Sequence, residues 1–286
     1  LWMCGVKHRN IAKSNGVVNW KTTPNLYPKR LGVTGDKVAS TLLSFIEMNQ
    51  DTNVTEPFIP RDELKTEWLI QPLKIKNNMF NWQAFKGTEL FIDFETITPE
   101  VYPNLNIQSA FIFMIGVGFI VNDKWQFKCF KANGITHSDE CEMLLEFHNF
   151  VNMFRGSRNI YHWGNAEQHL YRNAMNRHCD IIDKVNYITD WNDLLKLFKV
   201  EPIVARGMLN FSLKSVVKAF YDNCFIETNY DDNDVANGLD AMVMALECYK
   251  SNNVNGSVMT NIQAYNEVDC KVMWEILEYL RKNHIS

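Results

Sequence analysis

Hydrophobic positions change their rhythm near residue 87. Before it, Pro and polar clusters interrupt the chain at Thr23-Pro24-Asn25, Tyr27-Pro28, Pro57 and Pro60. One stretch there keeps a helical spacing, Val38, Leu42, Leu43 and Phe45, which predicts a helix over 37–48. After Lys86-Gly87 the apolar residues run continuously. Residues 89–94 predict a buried strand, 111–121 a second and 125–130 a third, with Asn122-Asp123 as the hairpin turn. An acidic first turn at 138–142 opens a helix that continues to about Phe154. Short strands are expected at 159–163 and 187–189. Helices should follow them at 165–177 and through Phe198, and three more at 212–221, 235–250 and 260–282.

Three strands in succession, then alternating helices and strands, then a helical C-terminus describe an α/β domain with a mixed sheet. The expected division is an accessory segment over 1–86 and an α/β domain over 87–286. Composition supports a folded chain: 46% of the 286 residues are hydrophobic, and 18 Phe, 8 Trp and 10 Tyr can bury a large core. The longest apolar run, 110–121, is broken by glycines and is shorter than the ~20 residues a membrane-crossing helix needs. Seven scattered cysteines with no C-x-x-C pair fit neither a disulfide framework nor a zinc site. Free thiols in a reducing, intracellular compartment are the expectation. The start at Leu1 reads as a piece of a longer protein.

Charge alters this picture only in its distribution. The net charge is −4, which gives no global sign of a nucleic-acid binder. Residues 1–40, however, carry seven Lys/Arg against the single acid Asp36. A basic end on an acidic body fits phosphate contact at one end and cation binding at the other, and it equally fits a solvated basic surface. Within that segment 4–17, with Lys7, Arg9 and Gly16, is similar to a helix-hairpin-helix, in which backbone N–H groups of a glycine hairpin hold phosphate. Only one of the usual two glycines is present, and a structural helix cap fits as well.

Three stretches carry candidate chemistry. In Phe91-Ile92-Asp93-Phe94-Glu95-Thr96, strand alternation points Asp93 and Glu95 to one face, their side chains ~7 Å apart. Two carboxylates so placed on an apolar strand call for a cation, and Mg²⁺ or Mn²⁺ prefers such oxygens; an ordinary exposed strand end also fits. In Ile160-Tyr161-His162-Trp163-Gly164-Asn165-Ala166-Glu167 a strand enters a helix through a small-residue turn. Glu167 then stands in the first helical turn, where the helix dipole alone would also favour an acid. In Tyr265-Asn266-Glu267-Val268-Asp269 the phenol and carboxylate are i and i+4 on one helical face, followed by apolar Met273 and Ile276. A metal or a buried Tyr–Asp hydrogen bond would each account for that acid.

Taken together, the three stretches resemble the motifs of the DEDDy 3′–5′ exonucleases, on a ribonuclease H-like fold. Within that superfamily the sequence is similar to YprB-like nucleases found beside RecB-type nuclease and helicase domains, which share a Tyr-Asn-x-x-Asp-Cys third motif, here Tyr265 to Cys270. The resemblance covers roughly 87–286. It departs from the usual second motif, with Glu167 where most members have Asp and Trp163 where they have Asn. That leaves Asp190 as an alternative third carboxylate, with Glu167 favoured for its spacing from His162 and Leu170.

The resemblance implies phosphodiester hydrolysis with two divalent ions, Mg²⁺ or Mn²⁺. Asp93 bridges both in that scheme, Glu95 and Asp269 hold one, and Glu167 holds the other. Tyr265 orients the attacking water, because a phenol is a poor base at neutral pH. Lys214 or Lys218 would steady a substrate phosphate. Single-stranded DNA or RNA ends are the implied partner, together with linked helicase or nuclease domains. A second expectation is a nucleic-acid-binding module without activity, and a third is a structural α/β domain with incidental acids.

Overall fold

The computed structural model describes residues 1–50, 66–105, 109–182, 187–231, 235 and 237–285. The chain begins with helices α1 (Val6–Ser14) and α2 (Asp36–Asn49) and the two-residue strand β1 (Ile70–Gln71). Strands β2 (Thr88–Ile97), β3 (Phe111–Val121) and β4 (Lys124–Lys131) follow, then α3 (His137–Met153), β5 (Arg158–His162) and α4 (Ala166–Arg177). The chain continues through β6 (Trp191–Asp193), α5 (Leu194–Val200), β7 (Val204–Ala205) and α6 (Leu213–Asp222). Two helices complete it, α7 (Gly238–Lys250) and α8 (Ser257–His284). None of the described helices is long and apolar enough to cross a membrane.

The elements fall into two compact units. One is Phe80–Leu194 with Thr228–Glu275, and the other is Leu1–Met79 with Leu195–Glu227 and Ile276–Ser286. The expected linear division at 86/87 is therefore replaced by one in which later segments complete the N-terminal unit. Hydrogen bonding gives the reason. Strand β1 pairs with β7, Ile70 opposite Ala205. On α2, the Asn49 amide donates to the Met208 carbonyl at 3.0 Å and accepts from the Gly207 N–H at 2.7 Å.

In that N-terminal unit the sequence left α1 unassigned as a full helix. A helix-hairpin-helix would need a second helix directly after Gly16. The next α-helix starts at Asp36, because Pro24 and Pro28 interrupt the intervening segment. The helix-hairpin-helix expectation is thus corrected. Lys7 and Arg9 are exposed on α1.

The other unit is built on a five-stranded sheet in the order β4-β3-β2-β5-β6. The β4-β3-β2 side is antiparallel, and β5 and β6 run parallel to β2. Positive φ at Asn122 and Asp123, 51° and 59°, makes the tight turn between β3 and β4. Strand β2 is central, so its two faces are both covered. Leu90, Ile92 and Phe94 belong to the core cluster with Leu144 and Phe147 of α3. On the opposite face Phe91 stacks on Tyr161 at 5.4 Å, and Trp125 of β4 stacks on Trp274 of α8 at 5.5 Å. That second face also carries Asp93 and Glu95.

Most predicted elements form within one to three residues of their expected bounds, and one does not. The strand expected at 187–189 forms at Trp191–Asp193 instead. There Trp191, Asn192 and Asp193 pair with Ile160, Tyr161 and His162, so the parallel neighbour selects the register over local β propensity.

Candidate metal centre

Three elements meet at the centre of the sheet. Strand β2 supplies Asp93 and Glu95, two positions apart on one face, and α8 supplies Tyr265, Asn266 and Asp269 from one helical stripe. In the sheet register Gly116 of β3 lies opposite Asp93. A Cβ at Gly116 would come within 1.8 Å of the Asn266 Oδ1, so glycine is what lets α8 lie this close to β3. One carboxylate oxygen from each of Asp93, Glu95 and Asp269 lies within 4.8 Å of the other two. Glu95 and Asp269 are buried, and Asp93 is half-buried.

Buried negative groups here act on one another. Burial raises the Asp93 pKa well above the usual aspartate value, and the carboxylates of Asp269, Glu95 and Glu167 raise it further. A hydrogen bond from Asn266 Nδ2 to Asp93 Oδ2, at 2.8 Å, works in the opposite direction. The charges acting on Asp93 are thus all of its own sign. Burial likewise raises the Tyr265 phenol, with Asp269, Glu95 and Asp93 adding to it. Tyr230 is raised by burial and by Asp269. Both phenols therefore keep their protons at neutral pH, and both hydrogen-bond the Asp269 carboxylate, Tyr230 at Oδ1.

An all-oxygen, all-anionic donor set suits a hard divalent cation. Oxygens on opposite sides of Mg²⁺ stand ~4.2 Å apart, twice its usual ligand distance, close to the span of this triad. The residues fit the expected metal, and the resulting neutralisation would relieve the mutual repulsion.

Glu167 stands beside the triad. It is buried in the first turn of α4, entered through Gly164 at φ 97°, and it pairs with His162 Nδ1 at 3.1 Å. It lies near enough to raise Asp93, yet it is outside the three acids whose oxygens converge. Asp190, the alternative third carboxylate, is engaged elsewhere: Arg158 Nε holds its Oδ2 at 2.7 Å and Thr189 donates to Oδ1. The acid of β6 that turns inward is Asp193, which accepts the Gly164 N–H at 2.8 Å. Lys214 is half-buried on α6, and Lys218 is exposed and paired with Asp222 at 3.1 Å. Both lysines, like Lys7 and Arg9, belong to the other compact unit.

Three contributors were not assigned roles from sequence. Gly116 had a legible signal, since Gly116 and Gly118 interrupt an otherwise apolar strand, the mark of a close approach. Asn266 was part of the third motif, but nothing in its spacing distinguished it from surface polarity. Tyr230 lies in an Asn- and Asp-rich loop with no periodicity and gave no signal. Comparison with protein-family models, with curated proteins and with solved structures gave no match to this chain.

Proposed function

We propose that this chain is a metal-dependent nuclease that hydrolyses phosphodiester bonds, acting as a 3′–5′ exonuclease on single-stranded nucleic-acid ends. The observation that carries the reading is the convergence of Asp93, Glu95 and Asp269 from a central strand and a C-terminal helix, where the charges of Asp269, Glu95 and Glu167 act on Asp93. The sheet order, three antiparallel strands followed by two parallel ones, supports a ribonuclease H-like fold for it.

Asp93, Glu95 and Asp269 would hold Mg²⁺ or Mn²⁺, with Glu167 serving a second ion. Such ions supply Lewis-acid polarisation of a phosphoryl oxygen and a water of lowered pKa. The chain's own residues then have separable tasks. Tyr265 keeps its proton amid three carboxylates, so it acts as a hydrogen-bond donor that orients water or a phosphate oxygen, and it does not serve as a base. Tyr230 fixes the Asp269 carboxylate from the opposite loop. His162 fixes Glu167. Nucleic acid and linked helicase or nuclease domains are the proposed partners.

A second reading, a nucleic-acid-binding module without activity, draws on Glu167 standing outside the converging triad. One experiment separates the two. Single-stranded DNA and RNA oligonucleotides, labelled at either end, are incubated with the protein in Mn²⁺ or Mg²⁺. Stepwise shortening from the 3′ end is expected, abolished by EDTA and reduced at least 100-fold by Asp93→Asn. Equal degradation by Asp93→Asn would refute the nuclease reading. Metal-independent binding without cleavage would favour the module.

A further inference from the structure

We infer that Asn266 is a positioning residue whose amide nitrogen orients the Asp93 carboxylate for metal binding, in a slot that only Gly116 leaves open. The inference rests on the proposed metal centre and adds a residue to it. Asn266 is fully buried in α8, yet its side chain is only half satisfied. Nδ2 donates to Asp93 Oδ2 at 2.8 Å and to the Asp93 carbonyl at 3.3 Å. Oδ1 has no hydrogen-bond partner among the described residues.

The orientation of the amide follows from its neighbour. The Asp93 backbone carbonyl, which Nδ2 also reaches, only accepts, so the NH₂ faces Asp93 and Oδ1 is turned toward β3 at Gly116. A buried carbonyl oxygen without a donor destabilises a fold, and an apolar side chain of the same shape would avoid that cost. Folding alone therefore gives little reason for Asn at this position. Its value lies in the donated bond. That bond holds the Asp93 carboxylate in the orientation in which one of its oxygens converges with those of Glu95 and Asp269. Groups that hold a ligand's carboxylate in place commonly set how well it binds a metal.

Leu matches Asn in size and branching and removes both the donor and the orphaned oxygen, which makes Asn266→Leu the decisive variant. Calorimetric titration with Mn²⁺ should show binding weakened 10–100-fold relative to the unsubstituted protein. The metal-free urea midpoint should be equal or higher, which a merely structural role would not produce. Gly116→Ala, which pushes the amide off Asp93, should weaken Mn²⁺ binding to a similar extent. In an Asn266→Ala background, where the clash with the amide is gone and the added methyl meets the movable Phe127 ring at 2.9 Å, Gly116→Ala should have no further effect on affinity. That non-additivity can be read even if Asn266→Leu fails to fold. Unchanged Mn²⁺ affinity in Asn266→Leu, or additive effects of Gly116→Ala and Asn266→Ala, would overturn the inference and leave the metal centre standing. Absence of Mn²⁺ binding in the unsubstituted protein would overturn the metal centre and this role with it.

Discussion

Two carboxylates of the same α/β unit, one buried and one half-buried, have opposite surroundings. Glu140, in the first turn of α3, is fully buried and completely partnered. Its Oε1 accepts from the Ile112 N–H at 2.8 Å and from Arg177 Nη2 at 2.7 Å, while Oε2 pairs with Arg177 Nε at 3.0 Å and His178 Nε2 at 2.8 Å. Although burial alone would raise it, these partners lower its pKa. Asp93 has one amide and three other acids around it, and its pKa is raised. The first arrangement carries its counter-charge within the chain, so it is structural. Among the described residues the second has no cation acting on it, which is the basis for proposing a metal there.

The largest effect should come from breaking the complete side of this comparison. Glu140→Ala leaves the half-buried Arg177 and the buried His178 without their carboxylate. A loss of about 3–5 kcal/mol is expected in urea unfolding, the range for removing one partner of a buried pair. Mn²⁺ affinity of the folded fraction should not change, since Glu140 is absent from the groups acting on the triad. A stability loss below about 1 kcal/mol would mean that Arg177 finds water or another acceptor, and the contrast would fail.

Asp93→Asn should move stability the other way, by roughly 1–3 kcal/mol without metal. That lies below the ~4 kcal/mol Coulomb repulsion of two charges 4 Å apart at an effective dielectric of 20. The pH dependence gives the sharper test. With its folded pKa above the ordinary 3.8, Asp93 contributes its stability below that value and loses it as pH rises through the folded pKa. The advantage of Asp93→Asn over the unsubstituted protein should therefore grow from acid to neutral pH. Glu140, its folded pKa below the ordinary 4.5, contributes above that value and loses its contribution as pH falls through the folded pKa. The deficit of Glu140→Ala should accordingly shrink in acid. Urea midpoints between pH 3 and 7 in EDTA would show the two differences running in opposite directions. Parallel trends would remove the basis for treating the sites as different.

This contrast also marks how far the sequence could be read. Asp93 and Glu95 were legible because strand alternation alone puts them on one face, and Tyr265 with Asp269 because helical spacing does the same. The sheet's first three strands were legible from unbroken apolar runs and the Asn122-Asp123 turn. Glu140 was not. An acid in a first helical turn is ordinary helix-dipole chemistry, and its burial depends on Arg177 and His178, more than thirty residues away. Strand β6 was misplaced for the same reason, since its register comes from pairing with β5. Asp190, the alternative to Glu167, is engaged by Arg158, a pairing that no local pattern encodes. Local periodicity thus reveals acids that share an element, whereas their neutralising partners come from elsewhere in the chain.

The two phenols on Asp269 are the nearest counterpart in the proposed metal centre to Arg177 and His178, since they donate hydrogen bonds but bring no charge. A neutral donor compensates a buried carboxylate only in part, so the smallest effect is expected here. Tyr230→Phe removes the bond to Asp269 Oδ1 and should cost about 1 kcal/mol of metal-free stability, the usual net value of one hydrogen bond. Saturating Mn²⁺ should reduce that deficit, because a cation on Asp269 takes over the compensation that the phenol supplied. Urea midpoints with EDTA and with Mn²⁺, compared between the two proteins, read both numbers. If the deficit is the same with and without Mn²⁺, Tyr230 packs against the site without sharing the burden of Asp269, and the analogy with the Glu140 network ends at geometry.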